Sequence, residues 1–170
     1  MNQLYAPWRG DYTASTARTK HENSHADDCV FCTQFAEKKD AQHLIIRRFN
    51  HCIVMLNKYP YNAGHLLILP EAHIANLNDL SQEVRYELMD LTNFSVEAVK
   101  TTFGAEGVNV GLNLGKAAGA GIPSHLHMHI LPRWIGDTNF MPTLTETKTI
   151  SFDLNQLYER IKPAFDAYSI

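Results

Sequence analysis

Ser124-His125-Leu126-His127-Met128-His129-Ile130-Leu131-Pro132-Arg133 alternates imidazole with apolar side chains. A period of two is the mark of a half-buried β-strand. Successive side chains on a strand point to opposite faces. The alternation therefore predicts His125, His127 and His129 on one face, with Leu126, Met128 and Ile130 in the core behind them. Neutral imidazole is a nucleophile, a proton carrier and a metal ligand near neutral pH. Three in a row point to a chemical device or a metal site, against the plainer reading of polar rings on a solvated strand.

Moving outward, the preceding loop, Asn113-Leu114-Gly115-Lys116-Ala117-Ala118-Gly119-Ala120-Gly121, has few large side chains. Such loops let backbone N–H groups, here those of Gly119 and Gly121 among them, wrap phosphate oxygens. A flexible linker is the alternative. A strand is expected over 107–113 and a long helix over 81–103, with Ser81 as N-cap, Glu83 in its first turn and Gly104 closing it. Val84, Leu88, Leu91, Phe94 and Ala98 form its apolar stripe. Three further strands are expected over 43–47, 51–56 and 65–70, the first two joined by a turn at Phe49-Asn50. A short helix over 29–39, capped by Asp28, precedes them. A last helix over 154–167 is expected to kink or split at Pro163. Segregated strands and helices predict an α+β domain with a mainly antiparallel sheet. Residues 1–26 read as an arm that Tyr5, Pro7 and Trp8 could dock, 27–141 as the domain, and 142–170 as a C-terminal extension.

The chain has 170 residues, enough for one substantial core. Hydrophobic residues are 45%, charged residues 19%, and the formal charge is −3, which argues against nucleic-acid or membrane partners. No apolar run suits a membrane span, and 1–20 does not resemble a signal peptide. With three cysteines, a reducing cytoplasm is expected.

Cys29-Val30-Phe31-Cys32 is a CxxC at a helix start, and two thiolates at that spacing grip one zinc ion. A redox dithiol or two buried thiols are the alternatives. Cys52 reads as a small buried hydrophobe. Lys116 and Arg133 are candidate cations for a phosphate group or simply solvated, His21, His25, His43 and His51 belong to no motif, and Trp8 and Trp134 suit a subunit contact or the chain's own core.

His125-Leu126-His127-Met128-His129-Ile130-Leu131 resembles the motif of the histidine triad (HIT) superfamily of nucleotide hydrolases and transferases. The segments Asn57 to Pro70 and Asn113 to Trp134 agree in order and spacing. The longer run through Gly136-Asp137-Thr138-Asn139-Phe140 is most similar to the branch of diadenosine tetraphosphate (Ap4A) phosphorylases and hydrolases. The resemblance implies a five-stranded sheet with a long helix and a homodimer. It implies that His127 attacks the α-phosphorus of a dinucleoside polyphosphate and becomes a nucleotidyl-histidine. His129 would polarise the phosphate, His65 would back it, and His125 would sit near the leaving group. Asn57 and Asn113 would bind ribose or phosphate, or brace turns. Ile45, Phe49 and Leu56 are candidates for an adenine pocket or plain core residues. Relatives carry Ser, Thr or Gln where this chain has Gly121 and Ile122; Ser124 or a backbone donor is the expected substitute. Zinc-bearing members complete their site from a histidine after the third strand and the first triad histidine, which implies Cys29, Cys32, His73 and His125. A Mg ion is a candidate companion of the polyphosphate. A purine-nucleoside phosphoramidase and a catalytically weak nucleotide-binding protein are the rival functions.

Overall fold

The computed structural model describes residue 26, residues 29–145 and residues 152–169. The expected arm with Tyr5, Pro7, Trp8, His21 and His25, and the Asp28 cap, lie outside these. Helix α1 (Val30–Glu37) comes first, with Cys29 at its N-cap position. Strands β1 (Ile45–Arg48), β2 (Cys52–Leu56) and β3 (Leu66–Pro70) follow, and a turn closed by Phe49 N–H to Cys52 C=O joins the first two. Helix α2 (Gln82–Phe103) leads to β4 (Gly107–Leu112), and β5 (Met128–Arg133) comes after the glycine-rich loop. Two helices close the described chain, α3 (Met141–Thr145) and α4 (Leu154–Asp166).

The five strands form one antiparallel sheet in the order β1-β2-β3-β5-β4. This is the α+β class that the segregated pattern predicts. The long helix forms where expected because both ends are specified. Ser81 Oγ accepts from Val84 N–H, and Gly104 adopts φ 67° to return its N–H to Lys100 C=O. Leu88, Leu91, Ala98 and Val99 are buried against the sheet, joined by Leu157, Ile161 and Phe165 of α4. Each such buried Leu, Ile or Phe contributes about 1.5–3 kcal/mol. Pro163 does not split α4, which runs continuously through it. The helix is held by its buried stripe and by Arg47, whose guanidinium reaches the Phe165 and Tyr168 carbonyls.

A second, smaller cluster covers the opposite face, where Phe31 and Phe35 of α1 pack on Ile45, Ile53, Met55, Leu67 and Leu69. The two faces thus have different jobs. Leu126, Met128 and Ile130 belong to the helix-covered core, as the alternation requires. His129 sits opposite Leu67 and Gly111 on the other face. One correction concerns the strand itself. Pairing begins at Met128, so His125 and His127 lie in the lead-in rather than on the sheet, tethered by Leu126 N–H to Ile74 C=O at 2.7 Å. Gly64 turns the chain into β3 at φ 72°, and a Cβ there would meet the Phe103 ring at 2.6 Å.

Candidate active site and metal centre

Hydrogen bonds fix the protonation of the clustered imidazole rings one after another. A carbonyl only accepts, so the contact of His127 Nδ1 with His125 C=O at 2.8 Å puts the proton on Nδ1. His127 Nε2 therefore keeps its lone pair. Tyr61 N–H donates to His65 Nδ1 at 3.2 Å, with Asn57 Nδ2 at 3.3 Å, so His65 carries its proton on Nε2. That proton goes to His129 Nδ1 at 2.9 Å. His129 is left with an Nε2–H that is buried and has no partner among the described residues. The rings of His127 and His129 are 4.9 Å apart and cross at 66°. A nucleophilic nitrogen and an orphaned donor thus stand side by side.

Burial keeps these rings neutral. It lowers His65 to about 3, with the neighbouring His129 and His127 adding to the fall. It lowers His129 to about 4, helped by His127. His127, 8% exposed, is also held below the usual imidazole value by burial, against the pull of its bond to His125. A neutral imidazole is the reactive form.

His125 does something else. Its Nε2–H donates to Pro70 C=O at 2.9 Å, which leaves Nδ1 as a lone pair facing Cys29 Sγ at 3.4 Å and Cys32 Sγ at 3.5 Å. His73 Nδ1 lies 3.3 Å from Cys32 Sγ. All four donor atoms fall within 4.8 Å of one another. Ligands on a tetrahedral zinc are about 3.5 Å apart, so this set has the chemistry and the spacing of a metal centre. Both nitrogens of His125 are thereby engaged, one by Pro70 C=O and the other by the thiols.

The remaining candidates are distributed as follows. Asn57 also accepts from Tyr59 N–H at 2.9 Å, bracing its loop as well as His65. Asn113 stands half-buried just past β4, and Gly119, with φ 88°, caps a single 3-10 turn over Lys116–Ala118. Gly121 is exposed, and Ser124 Oγ is buried with no partner among the described residues. Ile45 and Leu56 are fully buried in the two separate clusters, while Phe49 packs on Tyr168, so these three do not line one pocket. Arg133 is spoken for by Asp137 at 2.6 Å and by Asn109 at 2.9 Å. Trp134 donates to Gly104 C=O at 2.8 Å and packs on the chain's own core. Cys52 is buried beside Glu87, its thiol pushed up to about 12 by burial and then by that carboxylate.

Two contributors escape sequence reading. Tyr61 lays its ring over His129, 5.9 Å between centroids at 20°, and Phe31 packs on His127. Tyr61 lies in the Tyr-Pro-Tyr loop, and proximity to Gly64-His65 is the only signal it offers.

The HIT domain family matches residues 38–134. The "AP-4-A phosphorylase" of Mycobacterium tuberculosis is 35% identical over 150 residues, 88% of this chain and 77% of that protein. This chain is a member of the HIT family. A zinc-bound histidine triad protein from Mycobacterium smegmatis shares the HIT fold with a TM-score of 0.68 at 24% identity, covering 84% of this chain and 96% of that one. A HIT family protein from Bacillus subtilis aligns with a TM-score of 0.58 at 28% identity, over 64% and 75% of the two chains. Among the described residues of this HIT protein, no helix is long and apolar enough to cross a membrane.

Proposed function

We propose that this HIT protein is an enzyme that cleaves a phosphoanhydride of dinucleoside polyphosphates such as Ap4A through a nucleotidyl-His127 intermediate. The observation that carries the reading is the tautomer pair, a lone pair on His127 Nε2 beside the unpartnered Nε2–H of His129. The kinship with an AP-4-A phosphorylase supports the substrate class.

In this reading His127 Nε2 forms a bond to the α-phosphorus while the bond from that phosphorus to its bridging oxygen breaks, and ATP leaves. The positive charge arising on the imidazole spreads to Nδ1–H, which the His125 carbonyl stabilises. His129 Nε2–H donates to a non-bridging oxygen as its charge grows, an oxyanion-type contribution. Gly111, opposite His129, adds no side chain to crowd that spot. Asn113, Gly119, Gly121 and Ser124 are the proposed phosphate and ribose contacts. A second acceptor then takes the nucleotidyl group, and His127 is restored. Water yields AMP, and inorganic phosphate yields ADP.

Cys29, Cys32, His73 and His125 are the proposed ligands of one zinc ion. Bound there, zinc would act as a cross-link between α1 and the segment leading into β5. A homodimer is the proposed assembly. It is supported by the open outer edge of β4 with exposed Val110, and by exposed Tyr86 and Met89 on α2. A reducing cytoplasm is the proposed location, since Cys29, Cys32 and Cys52 form no disulfide with one another.

Incubation with Ap4A, with and without inorganic phosphate, tests the reading through the products. ATP plus ADP with phosphate, or ATP plus AMP with water, supports it. Two ADP formed without phosphate, or turnover of AMP-amine conjugates but not Ap4A, overturns it, the latter in favour of a phosphoramidase. Tight nucleotide binding with no turnover of either makes the protein a binder instead.

A further inference from the structure

Phe31 sits between the two thiols of the CxxC and touches both chemistries at once. Its ring meets His125 edge-on, 5.6 Å between centroids at 79°, and meets His127 at 5.6 Å and 55°. Phe35, one turn later, adds a second edge contact to His125 at 5.8 Å and 87°. Helix α1 is only eight residues long and its N-cap position makes no side-chain cap bond. A helix that short is marginal alone. What seats its first turn is the cluster of thiols and the two buried phenyl rings. A main-chain link runs in parallel, because the carbonyl of the ligand His125 holds the Nδ1–H of His127 at 2.8 Å.

We infer that Phe31 is a positioning residue that couples the Cys29–Cys32–His73–His125 cluster to His127, so that metal binding at the cluster sets the orientation of the nucleophilic ring. Drawing the two thiols together around an ion seats the start of α1. That in turn clamps Phe31 against His127. Releasing the ion loosens the first turn and gives His127 room to leave its bond to His125. The functional label of His127 rests on the reaction proposed above, whereas the coupling is a property of the resting protein.

The test uses the full chain, labelled with ¹⁵N-histidine, at a mildly alkaline pH where the rings are neutral. Zinc-loaded wild type is expected to show His127 as a single Nδ1–H tautomer, and chelation is expected to move its two nitrogen signals toward a mixture. Phe31→Leu keeps an apolar side chain of similar volume. That variant is expected to bind one zinc, to show the mixture with zinc present, and to lose about tenfold to a hundredfold in kcat with KM little changed, the size of a small misplacement of a reacting group. A His127 pattern indifferent to both chelation and Phe31→Leu overturns the coupling. Should Phe31→Leu fail to fold, the wild-type chelation measurement decides alone. A protein that shows the coupling but never cleaves Ap4A refutes the proposed reaction and leaves this inference standing.

Discussion

His127 gives its Nδ1 proton to the main-chain carbonyl of His125, two residues earlier in the same chain and 2.8 Å away. The tautomer of His127 is therefore written into the backbone and does not depend on a neighbouring side chain. His127→Ala should retain the fold, since this ring is no part of the helix-covered hydrophobic core. Turnover of Ap4A should fall at least about a thousandfold, as loss of a nucleophile does elsewhere. Product assay and thermal melting check both halves.

His129 supplies a donor with no partner among the described residues, and His65 fixes which nitrogen carries it. Removing one such donor typically costs about 10²–10³ in kcat. His129→Ala should show a loss of that order, and His129→Asn, which still offers an amide N–H, a smaller one. Steady-state kinetics on both variants tests the order, and equal losses would refute the donor role.

His65 is fully buried and its pKa falls from 6.5 to about 3. Between those values the unfolded chain binds a proton that the folded ring refuses. Stability thus rises with pH across this window. The contribution is complete above about 6.5 and is lost as pH falls toward about 3. Denaturation melts taken from neutral to acid pH should show this loss, and His65→Gln should show a shallower one. A variant with the wild-type slope would remove His65 as its source.

Cys32 Sγ stands 3.3 Å from His73 Nδ1 and 3.5 Å from His125 Nδ1, central to the donor set. Purified protein should carry about one zinc per chain, by the four-ligand arithmetic of a structural site. Cys32→Ser or chelation should remove it and lower Tm by on the order of 5–10 °C, since a ligand at a hundred times its Kd adds about 2.7 kcal/mol. Metal analysis beside calorimetry checks this, and a metal-free wild type with unchanged Tm after chelation would refute it.

Glu87 is a buried carboxylate on α2 that accepts His51 N–H at 2.9 Å and lies 3.4 Å from Cys52 N–H, at the entrance to β2. Glu87→Ala strands those donors, at about 1–3 kcal/mol each for a buried group. Glu87→Gln retains an acceptor and should cost less. Urea titration of the two variants should rank them Gln above Ala.

The chain's own pattern determined the elements and their order, because each is encoded locally. Ser81 and Gly104 end the long helix by satisfying its own terminal groups. The alternation after Ser124 sorts Leu126, Met128 and Ile130 from the histidines whatever the rest of the chain does. The resemblance to the HIT motif likewise pointed to His65 and to Cys29, Cys32, His73 and His125, which the fold brings together. Tertiary structure alone decided the chemistry of each ring. Which nitrogen holds a proton depends on partners such as Pro70 C=O, 55 positions from His125, and Tyr61 N–H above His65. The same holds for where pairing starts on β5, which β3 sets through Ile68 opposite Met128. Burial of Glu87 and the wedge of Phe31 depend on helices meeting the sheet, and an α4 that runs on through Pro163 depends on a packed stripe outweighing a missing hydrogen bond. Local periodicity assigns a side chain to a face. Only contacts between distant segments assign it a partner, and in this protein the partner sets the reactivity.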